Sequence, residues 1–460
     1  MERTSLIKLD KNIIKETSLL AFPIIIQGLV YELQSLTDKA FLGHLKTEYV
    51  SAIGAAQLPL NATMDGLVAL SVAITIIVSH LYGAKKQEEA INYVKSAMLY
   101  SDLLSVSVCF LWEFFTYPIL HFFKVAPQII SHSVDYVKIC ALFFLVIGID
   151  SSLNAMLQGL GKTKIIMYSG IIKVFFNIFL SWVLIFGKFG FKEYHVAGAA
   201  IGTLISNCFA FGFVLSYCFI KRKELGFGKF RPEDFSITYY SKVIKVGAPA
   251  GIEYLLWNFS NLILVRFINE FSYISMSIYT VTFGIQCIVY AVFANYSKAA
   301  LTLIGHSLGA RNYKKANDVF YNCLIINILI ILCANVVFFL FTEDILSVFL
   351  KESYVVAQGD KYLKLIGLTM LPQSLNVVCG HAIKGNGNTK WMLLSQILGS
   401  IFVISLSFIL IRGFHMDMVA IYLVIILDET IRGITNYIYY KRKYLNARIP
   451  DEMMNEYRRD

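Results

Sequence analysis

The sequence predicts an all-α polytopic membrane protein, with twelve transmembrane helices in two pseudo-symmetric lobes of six. Three observations carry that expectation: a composition too apolar for a soluble domain, a regular succession of uncharged runs, and an internal repeat. Of the 460 residues, 57% are hydrophobic and 16% charged, and the mean hydropathy is +0.62. A soluble domain of this size carries about a quarter charged residues.

Runs long enough to cross a hydrocarbon core, roughly 20 residues each, follow one another along the chain. The first, 16–44, comes after a polar, basic lead with no small-residue cleavage site, so it reads as a retained helix. The second, 48–81, ends at the turn SHLYGAKK; the third is 93–119; the fourth, 133–158, ends at QGLGKTK. The fifth, 165–187, closes on IFG and the sixth, 196–220, on KRK. A second series comes at 243–268, 273–305, 317–341, 362–383, 391–411 and 418–440. Helices are expected because lipid cannot satisfy an open sheet edge and the runs are about twice the length of a barrel strand. The expected lobes are 1–228 and 229–460.

Of the 41 Lys+Arg, 27 fall in the termini and the even-numbered connections, among them Lys85, Lys86, Lys162, Lys164 and the 221–223 cluster. By the positive-inside rule both termini and the 221–245 linker are cytoplasmic. The net charge of +10 is then a topology signal, and nucleic acid is not an expected partner. The eight Cys lie in apolar spans without a CxxC pair, so neither a disulfide framework nor a metal site is expected. The Asn61, Asn258 and Asn295 glycosylation triplets fall inside spans. QGLGKT (158–163) misses a phosphate loop because Met156 stands where the first Gly belongs. With no HExxH or GxSxG either, an enzyme is not expected, nor any cofactor.

The repeat is specific. VSHLYGAKKQEEA (78–90) matches IGHSLGARNYKKA (304–316), and MLQGLGKTK (156–164) matches AIKGNGNTK (382–390). Both pairs stand at one offset in the numbering, since 304 − 78 and 382 − 156 are equal. Pro23 with Pro249 and IFG (185–187) with IRG (411–413) keep the same offset. Six helices per half is an even number, so both copies enter the membrane in the same direction, related by an axis along its normal.

One acid stands out. Gln27, Tyr31, Gln34 and Asp38 are spaced i, i+4, i+7, i+11 and so share one face of the first helix. A carboxylate at membrane depth costs on the order of 3 kcal/mol, which makes an intramembrane acid a functional candidate by default. The alternative is an Asp near a helix end reaching interfacial water.

Over essentially its whole length the chain resembles the multidrug and toxic compound extrusion (MATE) family, nearest the DinF-like branch. The resemblance rests on AFPIIIQGLVYELQSLTDKAFLGHL, SHLYGAKK, LNAMLQGLGKTK, NIFLSWVLIFGKFGFKEYHVAGAAIGT and GHSLGARNYKKA, in that order. It implies an antiporter that exports amphipathic, often cationic drugs or toxic organic cations in exchange for protons by alternating access, through a cavity between two six-helix lobes. It implies further a monomer in contact with lipid, in the bacterial cytoplasmic (inner) membrane. A sodium-coupled exporter and a lipid-linked oligosaccharide flippase of the same superfamily stay open as alternatives.

The resemblance places Asp38 on the family's helix-1 aspartate, and its polar surroundings on Tyr136, Asn154, Asn177, Ser181 and Thr203 as the cation- or proton-coupling set. Asn177 and Ser181 are i, i+4 and can point at one spot. Two departures matter: Ser181 stands where the family often has Asp or Asn, and Lys39, next to Asp38, is expected to snorkel to the outer interface. The helix-7 glutamate and helix-10 aspartate of sodium-driven NorM-like members read Trp257 and Gln373 here. Glu253 is the repeat counterpart of Gln27 at the same offset, so pseudo-symmetry turns it toward the cavity. The expected cavity residues are Gln27, Tyr31, Gln34, Glu253 and Trp257; the bland reading pairs Glu253 with Lys242 or Lys245. Asp65, Asp102, Glu113, Asp150, Lys173, Arg266, Lys298 and Arg432 read as interhelical pairs or interfacial anchors. Pro23, which cannot donate the i to i−4 bond, is expected to be a hinge in the first helix, or else a static kink.

Overall fold

Every predicted span is a helix, or a pair of helices, in the computed structural model, which describes residues 10–43, 45, 47–123, 125–228, 231–350 and 352–445. In chain order these are α1 (Lys11–Gly43), α2 (Thr47–Leu70), α3 (Val72–Gly83), α4 (Gln87–Phe122), α5 (Pro127–Ala141), α6 (Ile147–Gly159), α7 (Thr163–Ile185) and α8 (His195–Ile220). Next come α9 (Ile237–Asn269), α10 (Tyr273–Gly309), α11 (Tyr313–Leu340), the short α12 (Thr342–Ser347), α13 (Ser353–Gly385), α14 (Thr389–Phe408) and α15 (Val419–Tyr440). The second span is α2 with α3, interrupted at Ser71, and the fourth is α5 with α6.

The break in the fourth span has a local cause. A tight 3-10 turn over 142–145 separates α5 from α6, which frees the first backbone N–H groups of α6. Ile149 N–H donates to Asp102 Oδ1 of α4 at 3.3 Å. Gly148 permits this, because a Cβ there would collide with the α4 backbone at Asp102. Asp102 thus caps a neighbouring helix.

The repeat reappears in the turns. Lys85 and Arg311, counterparts in the repeat, both take left-handed backbone at φ 61° and 57°, as do Gly161 and Gly387 at 74° and 78°. Each turn is closed by a matching bond: Lys86 N–H to Leu81 O and Asn312 N–H to Ser307 O in one pair, Lys162 N–H to Leu157 O and Asn388 N–H to Ile383 O in the other. These satisfy helix-end carbonyls as a Schellman-type stop does.

The chain divides into two compact units, residues 26–251 and residues 1–25 with 252–460. The divisions fall inside α1 and α9, two residues after Pro23 and two after Pro249, again at the repeat offset. In the 26–251 unit, Trp112, Tyr136, Val137, Phe143 and Phe144 belong to one core cluster. In the other unit, Ile13, Ala21 and Ile24 of α1 pack with Tyr296, Ala300 and Phe320.

The linker after α8 is fixed within its own unit. Lys95 Nζ holds Asp234 Oδ2 at 2.7 Å, Ser96 and Tyr100 donate to the carbonyls of Asp234 and Phe235, and Tyr100 stacks on Tyr240. Glu224 takes Lys162 at 2.5 Å and Lys221 at 3.3 Å. These contacts hold both carboxyls below their ordinary range: Glu224 through the hydrogen bond from Lys162, Asp234 through that from Lys95.

Among the described residues nine helical stretches are long and apolar enough to cross a membrane. The spans outside that set are α9, α13 and α15, and the polar groups on them face one another.

Candidate functional site

The polar stripe of α1 meets α7 side by side. Gly170 of α7 lies so close to Gln27 that a Cβ would stand 2.8 Å from its Cγ. One turn further on both helices, Lys173 holds its Nζ 4.4 Å from the centre of the Tyr31 ring, while Gln27 Nε2 donates to the Tyr31 hydroxyl at 3.1 Å. Two turns further come Asp38 on α1 and Asn177 and Ser181 on α7, all three buried, with Gln34 buried between. Helix α8 closes the back. Gly202 allows it, since a Cβ there would lie 2.7 Å from Ser181 Oγ, and its neighbour Thr203 accepts from Asn177 Nδ2 at 3.1 Å.

Helices α5 and α6 supply the rest. Tyr136 is buried, accepts from Gln57 Nε2 at 3.0 Å, and stands within electrostatic range of Asp38. Asn154 Nδ2 donates to Asp150 at its carbonyl (2.9 Å) and its Oδ1 (3.0 Å). The structure thus brings Asn177, Ser181 and Thr203 together where α7 meets α8, and buries Asp38 further along the face of α1 that meets α7. Asn154 is turned first toward Asp150. The Lys39 side chain lies outside the described residues.

The centre is under-satisfied. Asn154 Oδ1, Asn177 Oδ1 and Ser181 Oγ are buried without a hydrogen-bond partner among the described residues. Each such atom costs about 1–3 kcal/mol.

Two of its members were not singled out in the sequence. Lys173 is i−4 and i−8 from Asn177 and Ser181, and its charge interacts with Asp150 and, next, with Asp38. That spacing was the available signal; by sequence alone Lys173 and Asp150 belong with the generic intramembrane pairs.

The other unit holds a second polar centre on the three less apolar helices. Arg432 of α15 grips Asp428 Oδ2 through Nε at 2.9 Å and Nη2 at 2.6 Å, reaches Glu429 Oε1 at 3.4 Å, and donates to Gln396 of α14 at 2.8 Å. Glu429 also accepts from Asn376 of α13 at 2.8 Å, whose own Oδ1 accepts from Asn436, which accepts from Trp391 Nε1. Gln373 reaches Glu429 as well and accepts from Gln286 of α10. Asp428 and Glu429 were not among the sequence candidates, although Asp428 and Arg432 at i, i+4 are a standard helical ion pair.

Glu253 requires a correction. Its Oε1 pairs with Lys384 Nζ of α13 at 2.8 Å rather than with Lys242 or Lys245. Those lysines sit two and three turns back on the same helix and cannot reach an acid that faces α13. Trp257, one turn after Glu253, packs against Tyr254 at 5.8 Å between ring centres.

Comparison with known proteins agrees with this architecture. The MatE family model matches residues 23–183 and 249–409, two segments whose starts and ends both keep the repeat offset. The Thermotoga maritima protein named "Probable multidrug resistance protein NorM" is 25% identical over 427 residues, covering 91% of this chain and 90% of that protein. "Uncharacterized transporter YisQ" of Bacillus subtilis is 22% identical, covering 91% and 92%. A solved structure described as the outward-facing conformation of a multidrug resistance MATE family transporter superimposes with a TM-score of 0.87 at 18% identity, covering 95% of this chain and 99% of that one. With both halves matched over most of their length, this chain belongs to the MATE family and is a membrane transporter, not an enzyme.

Proposed function

We propose that the protein is a multidrug efflux antiporter of a bacterial cytoplasmic membrane, with both termini cytoplasmic, which exports amphipathic or cationic compounds in exchange for protons by alternating access of the lobes 1–228 and 229–460. The observation that supports the proton assignment is the buried Asp38 carboxyl of α1, within electrostatic range of Tyr136, with unpartnered polar atoms of Asn177 and Ser181 on the neighbouring α7. A carboxyl in such a place can exchange a proton for a change in its hydrogen bonds. Gln27, Tyr31 and Gln34 are the proposed substrate contacts of this unit, Glu253 and Trp257 those of the other, and Asn154 joins the coupling set through its orphaned Oδ1. The names of the relatives support the drug-export reading.

Protonation of Asp38 would release its neighbours on α7, and α1 would then bend at Pro23, where the missing N–H already weakens the helix ladder. Each pH unit across the membrane supplies about 1.4 kcal/mol per proton. One proton against one monovalent cation moves no net charge, so the exchange runs on the pH gradient alone. The test is transport of a fluorescent organic cation into everted vesicles under an imposed pH gradient and, separately, a sodium gradient. Drive by the pH gradient is expected; drive by sodium alone overturns the assignment.

A further inference from the structure

We propose that the cleft between the start of α14 and the end of α15 is a headgroup site for an anionic phospholipid, whose acyl chains lie along the outer face of α15. The inference needs only that the chain spans a membrane, and it stands apart from the coupling ion and the exported compound. The cleft lies within the unit that holds residues 252–460. It offers about 360 Å³ and is lined by Trp391 of α14, Thr435, Ile438 and Tyr439 of α15, and Arg442 and Lys443 of the turn Lys441–Leu445 that follows. Small-ligand sites run from roughly 300 to 1,000 Å³. Its aromatic wall is fixed in place. Trp391 stacks on Tyr439 with ring centres 3.8 Å apart and donates through Nε1 to Asn436 at 2.8 Å. The Tyr439 hydroxyl accepts from Asn388 Nδ2 at 2.5 Å and from Lys443 Nζ at 3.2 Å. Trp and Tyr, with apolar rings and polar tips, are the side chains that settle at headgroup level.

The charge of the cleft sets it apart from its counterpart in the first half. The run Lys-Arg-Lys closes both halves, at 221–223 and at 441–443. In the first, Glu224 follows and takes Lys221 at 3.3 Å and Lys162 at 2.5 Å, while the Arg222 guanidinium lies over the Phe219 ring at 5.5 Å. In the second, Tyr444 stands where the acid would be, and Lys443 lies over the Tyr439 and Tyr444 rings at 5.6 and 5.8 Å. Among the described residues no carboxylate pairs with Arg442 or Lys443, and Arg442 makes no hydrogen bond. A guanidinium fork matches two oxygens of one phosphate, and the Lys443 ammonium adds a point charge beside it. Basic pockets between transmembrane helices are headgroup sites of anionic lipids. The apolar seat continues from the same residues. Ile431 and Ile434 lie one turn before the lining residues Thr435 and Ile438 on the same face of α15, and both are exposed. A headgroup held at Arg442 therefore lays its acyl chains on that stripe. A zwitterionic headgroup also carries a phosphate, but its own cation cancels the charge and is repelled by Arg442 and Lys443.

The experiment uses the full-length protein reconstituted in phosphatidylcholine vesicles, into which brominated phosphatidylglycerol or brominated phosphatidylcholine is titrated. Bromine quenches a tryptophan that it touches, and the difference between wild type and Trp391→Phe isolates Trp391 from the remaining tryptophans. Brominated phosphatidylglycerol should quench Trp391 at the lower mole fraction, with a preference of about 5-fold for each of the two charges. Arg442→Gln and Lys443→Gln, both at exposed positions, should each reduce the preference by that factor, and the double variant should abolish it. Lys441→Gln removes the same charge from the same turn but outside the cleft, and should leave the preference in place. Equal quenching of wild type by the two lipids overturns the proposal. So does an equal loss in Lys441→Gln and Arg442→Gln, which would mean a diffuse surface charge rather than a site. A preference that emerges only in the double variant Asp451→Asn with Glu452→Gln would put the chain's own acidic tail in the cleft and overturn lipid occupancy.

Discussion

The two units carry polar centres at comparable places in the repeat and finish them in opposite ways. In the 26–251 unit the basic residue, Lys173, hangs over a tyrosine ring without touching an acid, and three amide and hydroxyl oxygens nearby lack partners. In the other unit the repeat counterpart of Lys173 is Gly399, and no side chain fits there because Arg432 Cδ and Asp428 Oδ1 lie 2.7 and 2.8 Å from where a Cβ would be. The cation comes from α15 instead and is locked in a fork. Asp150 is replaced by Asn376, which joins a continuous chain of hydrogen bonds from Trp391 to Glu429. Asp38 is replaced by Leu264, buried in the core of that unit. A closed network of charges resists change, whereas an open one can follow a proton. On the proposed function, the open centre is the one that couples and the closed one holds its unit together.

The largest expected effect tests the open centre. Asp38→Asn keeps the shape of the side chain but cannot exchange a proton, so coupled export should fall to the level of vesicles without transporter, while the purified protein elutes as a folded species on size exclusion. Full transport by this variant would remove Asp38 from the mechanism and the comparison with it. The closed centre should answer in stability instead. Arg432→Met leaves Asp428 and Glu429 buried side by side without their cation, at a cost of roughly 3–5 kcal/mol. Thermal unfolding in detergent should fall by many degrees, and the same measurement on Lys173→Met should show far less change. Equal losses from the two substitutions would mean that both centres are structural.

A smaller effect is expected from crowding α7 against α8. In Gly202→Val the new Cβ would stand 2.7 Å from Ser181 Oγ and 3.0 Å from Ser181 N, an overpacking of about 1–3 kcal/mol. Because the displaced atoms are Ser181 and, beside it, Thr203, export should drop more than stability does. Export measured at matched protein levels separates the two, and an unchanged rate would show that the position of Ser181 is immaterial.

The linker gives the opposite kind of test, because it should contribute nothing to the pH dependence of transport. Asp234 is held below its ordinary value of 3.8 by Lys95. A depressed folded-state value means that the contact stabilises fully above that ordinary value and is lost only as pH falls through the lower one. Over the neutral range the linker stays docked. Asp234→Asn should therefore increase proteolytic cleavage in the 221–236 segment at neutral pH by a few-fold and leave the shape of the pH–transport profile unchanged. A shifted profile would place part of the pH response outside the Asp38 centre.

The twelve spans and the repeat were legible in the sequence, because uncharged length and a constant offset are properties of the chain itself. So was the shared helix face of Asn177 and Ser181, both buried, since i, i+4 spacing fixes it. Partnerships across helices were not: Glu253 of α9 chose Lys384 at the far end of α13, and nothing along α9 predicts which helix it faces. Lys173 and Asp150 were visible as charges but not as part of this region; the seat of Lys173 over Tyr31 depends on the close approach of α7 to α1 at Gly170. Asp428, Glu429 and Arg432 lie on a helix polar enough to look ordinary, and only burial reveals their network.

The smallest and most discriminating effect concerns the two helix prolines. Pro23 and Pro249 lie inside the continuous helices α1 and α9 and remove the same hydrogen bond. Their downstream residues differ: Asp38 lies fifteen residues after Pro23, and Leu264, 2% exposed in its core, lies fifteen after Pro249. If bending of α1 is driven by protonation of Asp38, the bend at Pro23 has a trigger and the bend at Pro249 has none. Alanine restores the missing donor in either helix and stiffens it. Pro23→Ala should then slow export several-fold more than Pro249→Ala in the same vesicle assay, while both variants bind the fluorescent cation as wild type does. Similar mild losses from both would make Pro23 a packing residue, and would move the conformational response to Asp38 away from α1 and toward the unpaired oxygens of α7.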